Sequence, residues 1–317
     1  MSRAVDRPTG APTGSAWSFW LRSLLRELVV ESPLNRLEDY AGQPIFSDVL
    51  VGVADGDDPV FAAFRHIVSS GHLMPHEVLG RQCPRATPSA VVRVVAWAMP
   101  FAPEVRRSNG GAEWPSELYS LARNNGGALS RTVHAALVDR LSTAGWAAAA
   151  PCLDEGYDVF RCPERGFSST WSERHVAFAA GLGRFGLNGG LITGAGMHVR
   201  LGSVVTTLPC DVTSAGRGDH RASCVRTGGR TCDKCIARCP RAAISLAGLD
   251  KARCQARRRE VRERFLDDYR ARLRLLPSPL VKCGTREPGF GLGCALCQCG
   301  VPCEGAAPDW EEAPCST

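Results

Sequence analysis

The sequence predicts an α/β (α+β) domain followed by a smaller, cysteine-rich domain. Through the first two thirds of the 317 residues, short β-branched apolar runs alternate with longer segments of helical periodicity. In the last third, ten of the 15 cysteines fall into two runs. We therefore divide the chain into a disordered tail at 1–15, an α/β domain at 16–208 and a cysteine-rich domain at 209–317.

The elements of the first domain are predicted from periodicity and composition. Residues 1–14 are polar and rich in Pro and Gly, which is typical of a disordered tail. Apolar residues at helical spacing predict helices at 16–31, 58–71, 118–145 and 172–180, the last with Ser172 as N-cap. Runs of β-branched residues predict strands at 90–97 and 201–208.

The net charge of +6 is concentrated in one predicted helix. Residues 251–274 contain ten Lys or Arg and four Asp or Glu, which is +6 in that stretch. Such a face suits nucleic acid or an acidic electron donor. The alternative is a solvated helix with pairs such as Glu260 to Arg264. No export signal or membrane span is predicted, and with 15 cysteines this indicates a reducing compartment, the cytoplasm.

The cysteine spacing indicates iron–sulfur clusters. The segment TCDKCIARCP at 231–240 follows C-x2-C-x3-C-P, the end of the bacterial ferredoxin run. In two-cluster ferredoxins the cysteine beside the proline ligates the other cluster. We therefore predict a ferredoxin-like domain with two 4Fe-4S clusters and crossed ligands: Cys224, Cys232, Cys235 and Cys303 for one, Cys239, Cys254, Cys294 and Cys297 for the other.

Some ligand positions stay open at this point. Seven residues separate Cys224 from Cys232, where the ferredoxin run has two. Cys283 is an alternative to Cys254, and Cys299 is an alternative to Cys303. Two zinc sites are the competing interpretation, but the C-x3-C-P element and the supply of eight thiolates favour clusters. The remaining thiols lack ligand spacing and are interpreted as free: Cys83, Cys152, Cys162, Cys210 and Cys315.

A glycine-rich loop comes after the helix predicted at 172–180. Its sequence GLGRFG matches G-x-G-x-x-G, but the dinucleotide fingerprint needs a strand before the glycines and a helix after them. Here a helix precedes them, and a turn with a strand comes next. Two interpretations remain: a loop whose backbone approaches a large flat or anionic ligand, or a helix stop with a tight turn.

The order of several motifs resembles epoxyqueuosine reductase and, more distantly, the reductive dehalogenases. The motifs are ERHVAFAAGLGRFGLNGGLIT, LGSVVTTLP, CDKCIARCPRAAI, LDKARC and GCALCQ, within roughly residues 90–305. The resemblance implies a nitroreductase-like, corrinoid-binding first domain beside the ferredoxin-like one. It implies electrons passing singly from two 4Fe-4S clusters to cobalamin, which reduces the substrate. By the same resemblance, the corrinoid pocket is lined by Gly181, Gly183, Gly186 and Asn188.

The sequence also differs from that pattern. The aspartate that looks like the proton donor of epoxyqueuosine reductases has its matching place near Phe167 and Ser168, which puts a tRNA substrate in doubt. The second cysteine run ends CQCGVPC, and no D-x-H-x-x-G occurs. As replacement proton donors we predict Tyr157 or Asp158, ahead of Glu164, Glu173 and His175.

Together these observations predict a cytoplasmic, cobalamin-dependent iron–sulfur reductase. The alternatives are a reductive dehalogenase and a ferredoxin-like electron-transfer protein without corrinoid. The expected partners are a low-potential donor, ferredoxin or flavodoxin, and either a small-molecule substrate or tRNA. No membrane partner is expected.

Overall fold

The fold is mixed α/β, as predicted. The computed structural model describes residues 13–84, 91–111, 113–163, 165–213, 219–227, 229–279, 288–289 and 293–308. These residues form eight α-helices: α1 (Gly14–Val30), α2 (Val60–Ile67), α3 (Pro75–Gln82), α4 (Pro103–Ser108), α5 (Glu117–Thr143), α6 (Glu173–Ala179), α7 (Lys234–Ala237) and α8 (Lys251–Arg272). None of them is long and apolar enough to cross a membrane.

The strands are mostly short. In chain order the described residues form β1 (Arg36–Leu37), β2 (Gln43–Pro44), β3 (Leu50–Asp55), β4 (Arg93–Pro100), β5 (Ala148–Ala149), β6 (Val159–Cys162), β7 (Gly166–Ser169), β8 (Gly183–Phe185), β9 (Leu191–Thr193), β10 (Val199–Thr206), β11 (Ile244–Ser245), β12 (Gly248–Leu249), β13 (Ser278–Pro279) and β14 (Pro288–Gly289). Four of them make one sheet in the order β3-β4-β10-β5, and the other ten pair into five two-stranded ladders.

The four-stranded sheet is antiparallel and is buried on both faces. Along β4, Val95, Trp97 and Met99 join the apolar cluster formed with α1 and α5, whereas Val94 and Ala96 join the cluster formed with α2, α3 and α6. Because successive side chains of a strand point to opposite faces, a sheet covered on both sides needs apolar residues at every position. This explains the unbroken apolar run of β4.

Most predicted elements are confirmed within one to four residues at each end. The helices predicted at 16–31, 58–71, 118–145 and 172–180 correspond to α1, α2, α5 and α6, and the two predicted strands correspond to β4 and β10. Ser172 is the N-cap of α6, but its side chain makes no capping hydrogen bond; its hydroxyl lies 2.7 Å from Nδ1 of His175. The tail at 1–12 lies outside the described residues.

The basic helix α8 is partly built into the fold. Arg257 is buried, donates to the carbonyl of Glu113 and lies with its guanidinium 3.8 Å from the centre of the Trp114 ring. Lys251 Nζ donates to the carbonyls of Arg165 and Phe167 at 2.9 and 3.0 Å. Neither is therefore a free surface charge.

The ion pair that the solvated-helix alternative offers, Glu260 with Arg264, is not formed. Glu260 pairs with Arg241 at 2.7 Å and with Arg257 at 3.0 Å, not with Arg264. The guanidinium of Arg264 instead lies 4.1 Å from the centre of the Trp114 ring. An aromatic face far away in sequence thus attracts the arginine that the local i,i+4 rule assigned to the glutamate.

Candidate metal centre and ligand cavity

Four cysteines, which we call the first cysteine group, line a small cavity of about 20 Å³. They are Cys224, Cys232, Cys235 and Cys303. Burial, together with the thiolate charges within the group, raises the pKa of Cys303 to about 12 and that of Cys235 to about 11. The sulfurs of this group thus lie near enough for their charges to act on one another.

Backbone hydrogen bonds favour a thiolate within this group. Burial raises the pKa of Cys224, but hydrogen bonds from the backbone N–H groups of Thr227, Leu187 and Arg226 and from the Thr227 hydroxyl outweigh it, so that its pKa is lowered overall. The C-x2-C pair Cys232 and Cys235 sits at the short helix α7. Hydrogen bonds to sulfur are also what tune an iron–sulfur cluster.

The second cysteine group borders a much larger cavity. It consists of Cys239, Cys254, Cys294 and Cys297. Burial raises the pKa of Cys297 well above its ordinary value, and the charges of the other three members raise it further. Burial likewise raises the pKa of Cys254, which the charges of Cys294 and Cys239 also raise and that of Arg258 lowers.

The two groups are close enough to interact. The charge of Cys235 in the first group contributes to the raised pKa of Cys297 in the second. Asn188 lines both cavities, and its Nδ2 donates to the carbonyl of Cys297 at 3.4 Å and reaches the Cys297 sulfur at 3.8 Å. Two sets of four thiols at this proximity have the donor set that 4Fe-4S clusters require.

The structure distinguishes one of the two pairs of alternative ligands, Cys299 and Cys303. Cys299 is buried away from the first group: its sulfur lies 3.1 Å from Nε2 of His198 and 3.4 Å from Nδ2 of Asn109. Cys303, and not Cys299, lines the small cavity. Cys283 and Cys315 lie outside the described residues, and Cys83, Cys152, Cys162 and Cys210 are free thiols.

The larger cavity has a volume of about 430 Å³, within the range that takes a drug-sized ligand. Its lining residues come from helices α5, α6 and α8, from strands β9 and β10 and from the second cysteine group. Its wall combines apolar side chains such as Phe101, Leu191 and Val199 with charged ones. Six lining residues are cationic and one is acidic, Glu173; the cations are Arg123, Arg174, Arg200, Lys251, Arg257 and Arg258.

Glu173 is a buried carboxyl with one free oxygen. Its Oε2 accepts a hydrogen bond from the hydroxyl of Ser203 at 2.7 Å, and that hydroxyl also accepts from Nε1 of Trp171 at 2.9 Å. Its Oε1 is buried and finds no hydrogen-bond partner among the described residues. Burial raises the pKa of Glu173 to about 7, although the bond from Ser203 opposes the shift. At neutral pH this group can therefore both hold and release a proton.

The hydrogen bonds of His134 argue against a metal site around Glu173. One ligand atom each from His134, Cys152 and Glu173 lies within 4.8 Å of the others. However, Nδ1 of His134 lies 2.6 Å from the Ser130 carbonyl, and its Nε2 accepts from the backbone N–H of Ser203 at 3.3 Å. Both imidazole nitrogens are thus used, and burial lowers the pKa of His134 to about 4. The histidine is a neutral neighbour of the carboxyl.

The first-choice proton donors, Tyr157 and Asp158, do not border the cavity. Burial raises the pKa of Tyr157, and the charge of Glu173 adds to the shift. The backbone N–H of Asp158 donates to the Thr170 hydroxyl at 3.0 Å. Burial lowers the pKa of His175 to about 3, and Glu164 lies outside the described residues. Glu173 is the one predicted candidate among the described residues that borders the cavity.

The glycine loop folds as a hairpin. Gly181 has φ +76° and closes α6, with backbone bonds from Gly181 to Phe178 and from Leu182 to Ala177. At Gly183 a Cβ would lie 2.3 Å from the carbonyl oxygen of Ile192 in the paired strand β9. The glycines therefore serve the helix stop and the hairpin, which agrees with the helix-stop interpretation of this loop.

Of the residues that the resemblance assigns to a corrinoid pocket, only Asn188 borders the large cavity. Gly186 and Asn188 border the small cavity of the first cysteine group. A side chain at Gly183 would open the hairpin whether or not a ligand is present.

No family model matches the chain, and no curated protein does. Solved structures similar to it include an epoxyqueuosine reductase with a tRNA-Tyr epoxyqueuosine-modified stem loop, 20% identical with a TM-score of 0.43, covering 92% of this chain and 69% of that one. An epoxyqueuosine reductase from Bacillus subtilis is 20% identical with a TM-score of 0.39, covering 84% and 63%. A catabolic reductive dehalogenase is 18% identical with a TM-score of 0.40, covering 66% and 27%.

This chain thus spans about two thirds of the length of the epoxyqueuosine reductases and about a quarter of the dehalogenase. At these TM-scores, any assignment of function rests on the residues of this chain. The solved structures similar to this chain thus include members of both families that its sequence resembles.

Proposed function

We propose that this protein is an iron–sulfur reductase whose substrate site is the 430 Å³ cavity. The observation that supports the proposal is the second cysteine group, which borders the same cavity as the buried carboxyl of Glu173. A ligand in this cavity would thus be next to both a source of electrons, the second cysteine group, and a source of protons, Glu173. The proposal includes a nitroreductase-like domain at 16–208, a ferredoxin-like domain at 209–317 and a location in the cytoplasm.

Electrons would enter at the first cysteine group and leave through the second. Only the second group borders the large cavity, and the first group is in contact with it through Asn188. Each 4Fe-4S cluster carries one electron, so two clusters supply the pair that a bond cleavage needs. A low-potential donor of the ferredoxin or flavodoxin class would restore both electrons after each turnover.

Glu173 would supply the proton. The substrate takes up two electrons, the bond from carbon to the leaving group breaks, and the leaving group departs with the bonding pair. The carbon receives the proton from Glu173, which is then reprotonated from solvent. A carboxyl with a pKa of about 7 holds the proton in a useful fraction of molecules at neutral pH.

The cobalamin implied by the resemblance does not fit the cavity as it stands. A corrinoid with its nucleotide tail is larger than a drug-sized ligand, and a cavity of 430 Å³ would not enclose it. Of the glycines assigned to its pocket, Gly181 ends α6, Gly183 packs against β9 and Gly186 borders the small cavity. The described residues therefore do not form a complete corrinoid site, and the roles given to the two cysteine groups and Glu173 do not depend on one. Cobalamin binding stays a prediction.

Anaerobic reconstitution of the full chain tests the proposal. We expect about eight irons per chain, and two cluster signals in the electron paramagnetic resonance spectrum after reduction by dithionite. Organic epoxides and halides should then reoxidise the clusters, and a titration with hydroxocobalamin followed in the visible spectrum shows whether a corrinoid binds. Stoichiometric zinc, or about half that iron, would contradict the two-cluster assignment.

A further inference from the structure

The cavity contains more positive charge than its surroundings balance. Four of its arginines, Arg123, Arg174, Arg200 and Arg258, form no ion pair with a carboxylate among the described residues. Arg257 differs, because Glu260 lies 3.0 Å from it. Unpaired guanidinium groups in a partly buried cavity are costly unless an anion accompanies them.

The second cysteine group provides negative charge near two of these four arginines. The charge of the Cys254 thiolate favours the protonated forms of Arg174 and Arg258 and so opposes the lowering of their pKa by burial. A cluster held by four thiolates carries net negative charge at this position. Arg174 also donates to the carbonyl of Gly189. These two arginines therefore have a partner in the cluster-loaded protein.

Arg123 and Arg200 have no such partner among the described residues. Burial lowers the pKa of Arg200 to about 9, and the charge of Arg123 contributes to the shift. Nη2 of Arg200 donates to the backbone carbonyl of Arg123 at 2.8 Å, and its Nε is buried with no hydrogen-bond partner. The Arg123 side chain is held against Gly293, where a Cβ would lie 2.3 Å from its Nε. The fold thus holds two like charges side by side at the cavity wall.

Tyr119 is a neighbour of the two arginines in the cavity wall. It borders the cavity, it is buried, and the charges of Arg123 and Arg200 act on its hydroxyl. A planar guanidinium with a free Nε–H matches the geometry of a carboxylate or a phosphate, and a phenol can add a further donor. Glu173 lines the same cavity, so a ligand held here would also lie within the proposed reaction space.

We propose that Arg123 and Arg200 bind the carboxylate or phosphate group of an organic anion, and that the substrate is therefore anionic. The identification of this anion as the substrate rests on the proposed function. The binding site itself does not, because anion binding needs neither electrons nor turnover. The apolar residues Phe101 and Val199 in the same wall are suited to the carbon skeleton of such a molecule.

The test uses the cluster-loaded, oxidised protein without reductant. Inorganic phosphate and butyrate are titrated at constant ionic strength in chloride, with butyramide as the neutral counterpart of butyrate, and binding is followed by calorimetry and by the rise in Tm. We expect at least one of the two anions to bind and butyramide not to bind. Arg123→Met and Arg200→Met should weaken that binding about tenfold to a hundredfold, as expected for a lost charge-assisted hydrogen bond.

Arg131→Met is the matched control, because Arg131 lies on the same helix as Arg123 but is exposed and outside the cavity. Arg200→Met should fold at least as well as the wild type, since it removes a buried unpaired charge. Should it fail to fold, Arg200→Lys keeps the charge but loses the guanidinium fork, and we expect it to bind anions weakly.

Two results would overturn the proposal. One is that neither anion binds to the wild type, or that both bind equally to Arg200→Met and Arg131→Met. The other is that Arg200→Met keeps the anion affinity of the wild type and instead lowers the reduction potential of the second cluster. That result would make the pair a counter-charge for the cluster. Failure to find two clusters would contradict the proposed function and leave the anion titration to be judged by itself.

Discussion

The two cysteine groups differ in the charge around them. The first lines a cavity of about 20 Å³ whose one cationic lining residue among those described, Arg226, lies 3.4 Å from Asp233. The second borders a cavity of about 430 Å³ with six cationic residues and one carboxyl. Positive charge stabilises the additional electron of a reduced cluster. A cluster in the second group should therefore have the higher potential, and electrons should move from the first group to the second.

The same difference suits the first group to electron transfer and the second group to contact with a substrate. The first group lines only the cavity of about 20 Å³, together with hairpin residues such as Leu187 and Asn188, and this cavity is too small for an organic ligand. The second opens on space for a ligand, on Glu173 and on the arginine pair. Substitutions in and around the second group should therefore change reactivity and potential while leaving the first cluster intact.

Cys239→Ala should have the largest effect, because it removes a ligand of the second group that is provided by the first run. We expect iron to fall from about eight to about four per chain, with the signal of the first cluster retained. Cys162→Ala is the control, since this thiol in β6 belongs to neither group. Metal analysis and electron paramagnetic resonance decide between the outcomes. Loss of the first cluster instead would mean that the ligands do not cross.

Glu173→Gln should slow the reoxidation of reduced clusters by any organic substrate about 10²- to 10⁴-fold, the usual range for general acid catalysis. In the wild type the rate should fall as the pH rises through about 7, because the ionised carboxyl has no proton to give. Stopped-flow spectroscopy measures both effects. Asp158→Asn, which does not border the cavity, should react at close to the wild-type rate. Equal rates in the two variants would mean that Glu173 is not the proton donor.

The same carboxyl should make stability depend on pH. Its folded pKa of about 7 is above the ordinary 4.5, so its contribution is fully present below pH 4.5 and is lost as the pH rises through about 7. Urea unfolding at pH 5 and pH 9 should therefore show a loss in the wild type that Glu173→Gln does not show. Because the pKa moves from 4.5 to about 7 on folding, we expect a difference of about 2 kcal/mol. An equal loss of stability in both proteins would mean that a group other than Glu173 titrates over this pH range.

Arg258→Met should have the smallest effect and tests the origin of the difference between the two groups directly. Arg258 borders the cavity and feels the charge of Cys254, so removing it should lower the potential of the second cluster by several tens of millivolts. The first cluster should be unaffected. Arg259→Met on the same helix is the control, because Arg259 is exposed. A spectroscopic redox titration measures the two potentials. If both variants match the wild type, the charge of Arg258 does not set the potential of the second cluster.

The basic helix shows why charge counting alone misassigns a surface. The sequence interpretation treats 251–274 as one docking face, but Arg257 is buried, Arg258 borders the cavity and only Arg259 of the three is exposed. A triple replacement of these residues would alter the fold and the cavity together with any docking surface. A test of donor docking needs the exposed arginines alone.

Features that depend on neighbours along the chain are predictable from the sequence. The periodicity of 118–145 predicts α5, the apolar run at 90–97 predicts β4, and the C-x2-C-x3-C-P spacing predicts two groups of four thiols. The structure brings those eight cysteines together in the two predicted groups, while their binding of iron stays a prediction. Spacing carries this information because a short loop fixes where successive sulfurs point.

The character of the ligand cavity, in contrast, depends on the tertiary structure. Arg123, Arg200 and Glu173 come from α5, β10 and α6, and no local pattern predicts that they line one space. Burial then sets their chemistry, raising the pKa of the glutamate and lowering that of Arg200. A desolvation free energy depends on everything packed around a group, and those neighbours are distant in sequence. For the same reason, the sequence ranks Glu173 behind Tyr157 and Asp158 as a candidate proton donor, whereas in the structure Glu173 alone of the three borders the cavity.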